Sequence, residues 1–105
     1  MAETLKKIID YLNENNLDKA YELCDQNTDK KIEHVIKNIK GVISLKRKKF
    51  EIAKSEFLKS IELDKKFIDP YKNLFKLNLK IGDFKSAIEN AKKIIDFDVQ
   101  KNPIA

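Results

Sequence analysis

The amino-acid sequence predicts an all-α protein of six helices, arranged as three consecutive helix-turn-helix repeats. The chain of 105 residues contains only two glycines and two prolines, too few for the regular turns of an all-β sandwich or barrel. Apolar residues recur at the three- and four-residue spacing of a helix along most of the chain. A longer pattern of apolar and small residues also returns at a nearly constant interval. The chain length allows one compact domain, which we expect to cover residues 1–105.

The internal repeat is defined by alanines and large apolar residues at matching positions. Aligning Phe50 with Phe84 also aligns Ala53 with Ala87. Aligning Ala20 with Ala53 adds the first part of the chain to the same series. The expected boundaries are residues 2–27 for the first repeat, 29–64 for the second and 68–98 for the third, with a tail at 99–105.

Each repeat is predicted to contain two amphipathic helices, because its apolar residues fall on one helical face in each half. In the first helices these residues are Leu5, Ile8, Ile9 and Leu12; then Ile32, Val35, Ile36, Ile39 and Ile43; then Tyr71, Leu74 and Phe75. In the second helices they are Leu17, Ala20 and Cys24; then Phe50, Ala53 and Phe57; then Phe84, Ala87 and Ala91.

Turn and capping residues mark most of the helix boundaries. Asn15-Asn16 and Gly82-Asp83 separate the helices of the first and third repeats, since Gly adopts the left-handed conformation and Asn or Asp caps the next helix. Thr28-Asp29 and Asp69-Pro70 supply helix starts for the second and third repeats. The turn of the second repeat, residues 46–49, is a run of four basic residues and is the least well specified.

The third repeat carries a recognisable set of packing and turn residues. These are Tyr71, Leu74, Phe75, Gly82, Asp83, Phe84, Ala87, Phe97 and Asp98. At these positions the chain resembles the tetratricopeptide repeat, a recurring helix-turn-helix unit, although Val99 and Lys65 stand where that family usually has proline. The resemblance covers residues 2–98. It implies a right-handed α-solenoid whose first helices line a concave groove for a peptide or protein segment.

The register of the first helix in the second repeat has two readings. Counting back from Ala53 places Gly41 at the family's small first-helix position, but it also places Lys37 and Lys40 where apolar residues belong. A one-residue insertion in the turn at 46–49 would instead direct Ile36, Ile39 and Ile43 inward. We expect the insertion, because it buries no lysine.

Carried over in that register, the resemblance implies a set of groove residues. They are Glu3, Lys6, Lys7 and Asp10 in the first repeat, Lys37 and Asn38 in the second, and Asp69, Lys72, Asn73 and Lys76 in the third. Some members of the family hold a C-terminal carboxylate with Lys, Asn and Arg side chains at such places. Here Asp10 and Asp69 would repel it. We therefore expect a ligand segment of mixed or partly basic charge.

The sequence predicts neither an enzyme nor a cofactor or metal site. Cys24 occupies an inward helix position, which indicates a packed thiol rather than a nucleophile. One Cys and His34 cannot supply the four ligands of a structural zinc site. The two glycines cannot form a glycine-rich phosphate-binding loop.

The net charge of +5, from 22 Lys and Arg against 17 Asp and Glu, raises a second hypothesis. A basic helical-repeat domain could contact RNA or an acidic surface through Lys46 to Lys49 and the other lysine pairs. However, a lysine-rich composition also follows from AT-rich codons, and no aromatic residue lies within the basic run to stack on bases. We therefore expect a protein partner and not nucleic acid.

The predicted sixth helix carries more large apolar residues than one neighbouring helix can cover. They are Phe84, Ile88, Ile94, Ile95 and Phe97. We predict that this association face mediates formation of a homo-oligomer or docks a partner. The alternative is that the tail folds back and Ile104 covers the face.

The single cysteine, Cys24, favours a reducing compartment. Charged residues interrupt the first twelve positions, unlike a signal peptide, and no uncharged apolar run approaches the length of a membrane span. We expect a cytoplasmic protein without a membrane partner.

Overall fold

The computed structural model describes residues 2–101, and within this range the chain forms six α-helices, one short 3-10 helix and no strand. The all-α class and the six predicted helices are confirmed. The helices are α1 (Ala2–Asn13), α2 (Leu17–Asp25), α3 (Glu33–Lys46), α4 (Phe50–Leu63), α5 (Asp69–Ile81) and α6 (Phe84–Lys101), and the 3-10 helix (Lys30–Ile32) precedes α3. The predicted tail therefore begins inside α6, and its residues 102–105, including Ile104, lie outside the described residues.

The turns inside the pairs α1/α2, α3/α4 and α5/α6 share one backbone geometry. A residue with positive φ lies two positions before each second helix: Asn15 (59°), Lys48 (62°) and Gly82 (81°). The following N–H donates to a carbonyl five residues back in every turn, from Asn16 to Tyr11, Lys49 to Ser44 and Asp83 to Asn78, at 2.8, 2.8 and 2.9 Å. This is the Schellman arrangement that ends a helix. The three turns therefore have equal length, and the insertion expected at 46–49 is absent.

The register without an insertion also accounts for the packing between α3 and α4. Gly41 is buried, and a Cβ at this position would lie within 3.0 Å of three ring atoms of Phe57. Glycine here allows α3 to lie directly on the Phe57 ring. Ala20, Ala53 and Ala87 occupy the same position of the three second helices, and all three are buried.

Ile36, Ile39 and Ile43 are buried as well, although they do not point towards α4. They form a cluster with Ile8 of α1 and with Ala20 and Cys24 of α2, so α3 is covered on two sides. The register with the insertion is expected to bury no lysine, and in the structure Lys40 is half-buried, with its side chain 13% exposed. Lys40 is tolerated because its ammonium forms an ion pair with Asp25 of α2.

Packing proceeds from each helix to the next along the chain. The closest associations lie within the pairs α3/α4, α5/α6 and α1/α2, while α2/α3 and α4/α5 contacts join the pairs and α3 also touches α5. A second buried cluster contains Ala53 and Phe57 of α4 with Leu74 and Leu77 of α5. Val42 and Leu45 of α3 pack against it, so α3 contributes to both clusters. The resulting globule measures 41 × 33 × 23 Å.

None of the helices described for residues 2–101 combines the length and the apolar character that crossing a membrane requires.

Candidate binding surface

Because the three turns are equal, residues of α1, α3 and α5 can be compared position by position. The side of α3 that carries Ile36, Lys40 and Ile43 faces α2, and Gly41 faces α4. The remaining side, with its equivalents in α1 and α5, forms what we term the first-helix face. Its members are Leu5, Lys6, Ile9 and Leu12 of α1; Val35, Asn38, Ile39, Val42, Leu45 and Lys46 of α3; and Asp69, Lys72, Asn73, Lys76, Leu79 and Lys80 of α5.

An amide pair joins α3 and α5 on this face. Asn73 Nδ2 donates a hydrogen bond of 2.9 Å to Asn38 Oδ1, and the Asn38 side chain is buried. The two predicted groove residues are thus brought together. Their amides bond to each other, and this fixes the position of α5 relative to α3.

Four other predicted groove residues lie on the first-helix face with exposed side chains: Lys6, Asp69, Lys72 and Lys76. The Lys6 ammonium lies 3.4 Å from the carboxylate of Asp10, one helical turn away. Such an exposed pair adds little stability, so the Lys6 ammonium can exchange this contact for a ligand.

Asp10 and Lys37 lie on other faces. The absent insertion shifts the assignment of Lys37 by one residue, and aligning the equal turns of the first and third repeats shifts that of Asp10 by one residue as well. Asp10 is equivalent to Ile43 and Leu77, which face the preceding helix pair, and Lys37 is equivalent to Tyr71. Tyr71 packs on Phe97 of α6, with ring centroids 5.5 Å apart. Glu3 and Lys7, also predicted for the groove, share the exposed outer side of α1 with Asp10. The placement of these four residues in the groove is therefore corrected.

The first-helix face also has an apolar strip that the sequence analysis missed. Leu12, Leu45 and Leu79 each precede the positive-φ residue of their turn by three positions. With them lie Ile9 and Val42; Ile9 and Leu79 are each 45% exposed. The recurring leucine before every turn was the available signal. It was overlooked because the register of α3 had been assigned with an insertion.

Charges beside this strip are mostly positive. Lys72, Lys76 and Lys80 follow one side of α5, and Lys46 ends α3. Asp69 is the one acidic member of the first-helix face as defined above. Since Asp10 lies elsewhere, the expectation of a partly basic ligand loses its main support, and acidic side chains complement the surface better.

The basic run at 46–49 does not form a single patch. Arg47 pairs with Asp18 of α2, and its guanidinium lies 5.8 Å from the centre of the Tyr21 ring. Lys48 is the left-handed residue of the turn, and Lys49 immediately precedes α4. Only Lys46 belongs to the first-helix face, while the other three residues of the run form the turn between α3 and α4.

Lys40 and Asp25 form a second charged contact between α2 and α3. The Lys40 ammonium also lies 5.2 Å from the centre of the Tyr21 ring. Burial alone would lower the pKa of Lys40, but the hydrogen bond and charge of Asp25 outweigh it and raise that pKa. The contact links the first two helix pairs.

Cys24 and His34, the candidate reactive side chains outside the first-helix face, both pack against other residues. Burial raises the pKa of the Cys24 thiol to about 11, although the Lys40 ammonium partly opposes this. His34 packs edge-on against Phe67 at 5.0 Å, and its Nε2 lies 3.6 Å from the Asp64 carboxylate. Among residues 2–101 no cluster of His, Cys, Asp and Glu side chains is arranged to hold a metal ion.

The predicted association face of α6 is divided by the structure. Phe84, Ile88 and Ile95 are each more than half exposed, and Val99, which the sequence analysis did not include, is similarly exposed. Ile94 and Phe97 are half-buried, and Phe97 packs on Tyr71 of α5. Ile94 and Phe97 therefore do not belong to the exposed stripe.

Comparison of the chain with protein-family models, with curated proteins and with solved structures finds no match.

Proposed function

We propose that this protein is a non-catalytic interaction module that binds a peptide or protein segment across its first-helix face. The proposal includes a tetratricopeptide-like α-solenoid in which α1, α3 and α5 lie side by side. The supporting observation is the identity of the three turns, which sets Leu12, Leu45 and Leu79 in matching positions beside a row of lysines. The free, buried thiol of Cys24 supports the expected cytoplasmic location.

The ligand class follows from the chemistry of this face. Half-exposed Ile9 and Leu79 offer apolar contact area, which a ligand gains from only if it brings apolar side chains of its own. Lys72 and Lys76 favour acidic groups at its edges. We infer that the ligand is a segment that combines apolar and acidic residues.

Fluorescence polarisation with two labelled peptides tests this proposal. One peptide alternates Leu and Glu, and the other has Lys in place of every Glu. The first should bind more tightly, and Leu79→Glu or Lys76→Glu should weaken its binding about tenfold, since each adds an unpaired charge or a repulsion. Leu58→Glu and Lys19→Glu, exposed positions off this face, serve as matched controls. Equal binding of both peptides, or equal losses in all four variants, would contradict the proposal.

The same assay distinguishes the peptide-binding proposal from the alternative of an RNA-binding domain. A single-stranded RNA oligonucleotide should bind the lysine-rich surface with an affinity that falls steeply with salt. RNA binding that withstands Leu79→Glu, together with no peptide binding, would replace the peptide proposal with the nucleic-acid alternative.

A further inference from the structure

Helix α6 presents a continuous apolar stripe to solvent. Phe84, Ile88, Ala91, Ile95 and Val99 follow one another at intervals of four, three, four and four positions, which places them on one side of a helix. The four large side chains are each more than half exposed. Within residues 2–101 the helix that packs most closely against α6 is α5.

On α4, part of the equivalent side is covered by the next helix. The alignment that matches Phe50 with Phe84 also matches Phe57 with Ala91 and Ile61 with Ile95. Phe57 is fully buried against Leu74 and Leu77 of α5, and Ile61 packs against the same cluster. Ala91 and Ile95 of the α6 stripe are thus counterparts of residues in an internal helix–helix interface, whereas Ile88 and Val99 correspond to Lys54 and Lys65.

Helix α1 of another molecule cannot cover this stripe as α5 covers α4. The residues that α5 turns towards α4 are Leu74 and Leu77. At the equivalent positions α1 carries Lys7 and Asp10, both exposed. Placing these charges on an apolar stripe would desolvate them without partners. A head-to-tail row of copies is therefore disfavoured.

We propose that the α6 stripe packs against the α6 stripe of a second copy of this chain, with the two helices antiparallel around a two-fold axis near Ala91. In this arrangement Phe84 lies opposite Val99 of the second copy, and Ile88 lies opposite Ile95. The small side chain of Ala91 lets the helices approach closely at the crossing point. The surface is self-complementary, as a two-fold interface requires.

Charges beside the stripe favour the antiparallel direction. Lys85 and Asp96 flank the stripe on the same side, near opposite ends of α6. A two-fold axis near Ala91 brings Lys85 of each copy towards Asp96 of the other, whereas a two-fold axis parallel to the helices would place these residues of the two copies on opposite edges of the interface. Glu89 and Lys92 lie between Lys85 and Asp96 on the same side. The same axis brings Lys92 of each copy towards Glu89 of the other, so Lys92→Ala should weaken the pair.

Disulfide trapping tests the position of the axis. The Ala91→Cys variant should form a covalent dimer under mild oxidation, because its thiols face each other across the axis. The Lys93→Cys variant is the matched control, since Lys93 is exposed on the side of α6 opposite the stripe. The native Cys24 is buried and should not react. Trapping at Lys93→Cys as efficient as at Ala91→Cys would overturn the proposed geometry.

Multi-angle light scattering up to millimolar concentration tests the association itself. Ile95→Glu should raise the dimer dissociation constant about a hundredfold, since symmetry introduces the charge twice. Ile52→Glu alters a similarly exposed residue of α4 and should leave the dimer unchanged. Lys85→Glu should weaken the dimer, and adding Asp96→Lys should restore it.

A strict monomer at all concentrations would overturn the proposal, whether residues 102–105, another protein or nothing covers α6. An oligomer that withstands Ile95→Glu would overturn it as well, because another surface would then be responsible. The Leu79→Glu variant of the first-helix face should dimerise normally, so this proposal and the peptide-binding proposal can fail separately.

Discussion

Gly41 determines how closely α3 can approach α4. A methyl group here would overlap the ring of Phe57, which is fully buried and cannot move aside. We expect Gly41→Ala to lower the free energy of unfolding by about 1 kcal/mol, since an overpacking cost of about 1–3 kcal/mol exceeds the gain in helix propensity of about 1 kcal/mol. Urea denaturation followed by circular dichroism measures the change.

A second substitution, Phe57→Leu, tests whether overlap with the Phe57 ring causes the loss of stability in Gly41→Ala. In the Phe57→Leu background, Gly41→Ala should become neutral or stabilising, because the smaller side chain leaves room for the methyl group. Gly82→Ala is the control. The φ of 81° at this position would strain an alanine, but an added Cβ would have no neighbour within 4 Å. Its effect should be the same in both backgrounds. Additive effects of Gly41→Ala and Phe57→Leu would contradict this explanation.

Cys24 should be chemically inert in the folded protein. Its pKa is raised from 9.0 to about 11 by burial, so the thiol stays neutral at pH 8 and only the thiolate reacts. Iodoacetamide should label Cys24 about a hundredfold more slowly in the native protein than in urea, because labelling requires opening of the cluster. Equal rates would show that the thiol is accessible.

The raised pKa of Cys24 also gives a pH dependence of stability. The unfolded thiol ionises near pH 9 and the folded thiol near pH 11, so the unfolded state loses its proton first. The contribution of the neutral buried thiol is fully present below pH 9 and is lost as the pH rises through 11. Urea denaturation at pH 8 and pH 10 should show a smaller loss of stability for Cys24→Ala than for the wild-type chain.

At the scale of helices and turns, the three turns differ in quality although their backbones agree. Asn16 accepts a hydrogen bond from the Lys19 N–H at 3.3 Å, and Asp83 accepts one from the Ser86 N–H at 3.2 Å. Lys49 at the same position makes no capping bond. Lys48 adopts the left-handed conformation that glycine adopts at position 82. The middle turn is therefore the weakest of the three.

Substituting residues from the other two turns into the second should stabilise the protein. Lys49→Asn supplies the missing cap and Lys48→Gly relieves the left-handed side chain, and each should add about 0.5–1 kcal/mol to the free energy of unfolding. Thermal and urea denaturation measure the gain. Lys46→Gln, which removes a charge from the same run but no backbone constraint, should change little. A loss of stability in both turn variants would show that the equivalence of the turns is misassigned.

The sequence predicted these helices because apolar spacing and capping residues are local signals. It mispredicted the register of α3, because the rule that lysines stay exposed assumes that no partner is present. Asp25, which pairs with Lys40, lies on another helix, α2. Its proximity depends on tertiary packing, which helical periodicity does not encode. Because α3 is buried on two sides, the inward positions of both registers are buried: Gly41 in one, and Ile36, Ile39 and Ile43 in the other.

At the scale of the whole molecule, α3 links two clusters of buried residues. Ile36 and Ile43 belong to the first cluster, while Val42 and Leu45 pack against the second. Each end helix contacts fewer neighbours than α3 does. Because α3 takes part in both clusters, we expect local stability to be highest in the centre of the chain.

Native-state hydrogen exchange should reveal this distribution. Amides of α3 and α4 should exchange most slowly, and those of α1 and the C-terminal half of α6 most rapidly. The measurement should use the Ile95→Glu variant, so that any pairing of α6 does not protect it. Uniform exchange rates across the chain would indicate a single cooperative unit instead.

The candidate surface was predicted less completely than the fold. Lys6, Asn38, Asp69, Lys72, Asn73 and Lys76 lie on the first-helix face, but Asp10 and Lys37 do not. Each misplacement is a shift of one residue, at Lys37 from the assumed insertion and at Asp10 from the alignment of the first repeat with the third. Such a shift turns a side chain by about 100° around the helix axis. The apolar strip could be recognised only once the turns were seen to be equal.

The charged outer side of α1 and the apolar stripe of α6 make the two ends of the molecule unequal as surfaces for a further helix pair. A tandem duplication of α5 and α6 placed after α6 would find a surface suited to the leucines of α5. The same unit placed ahead of α1 would enclose Glu3, Lys7 and Asp10 without counter-ions. If the helix pairs stack as proposed, a further pair would therefore pack more favourably after α6 than before α1.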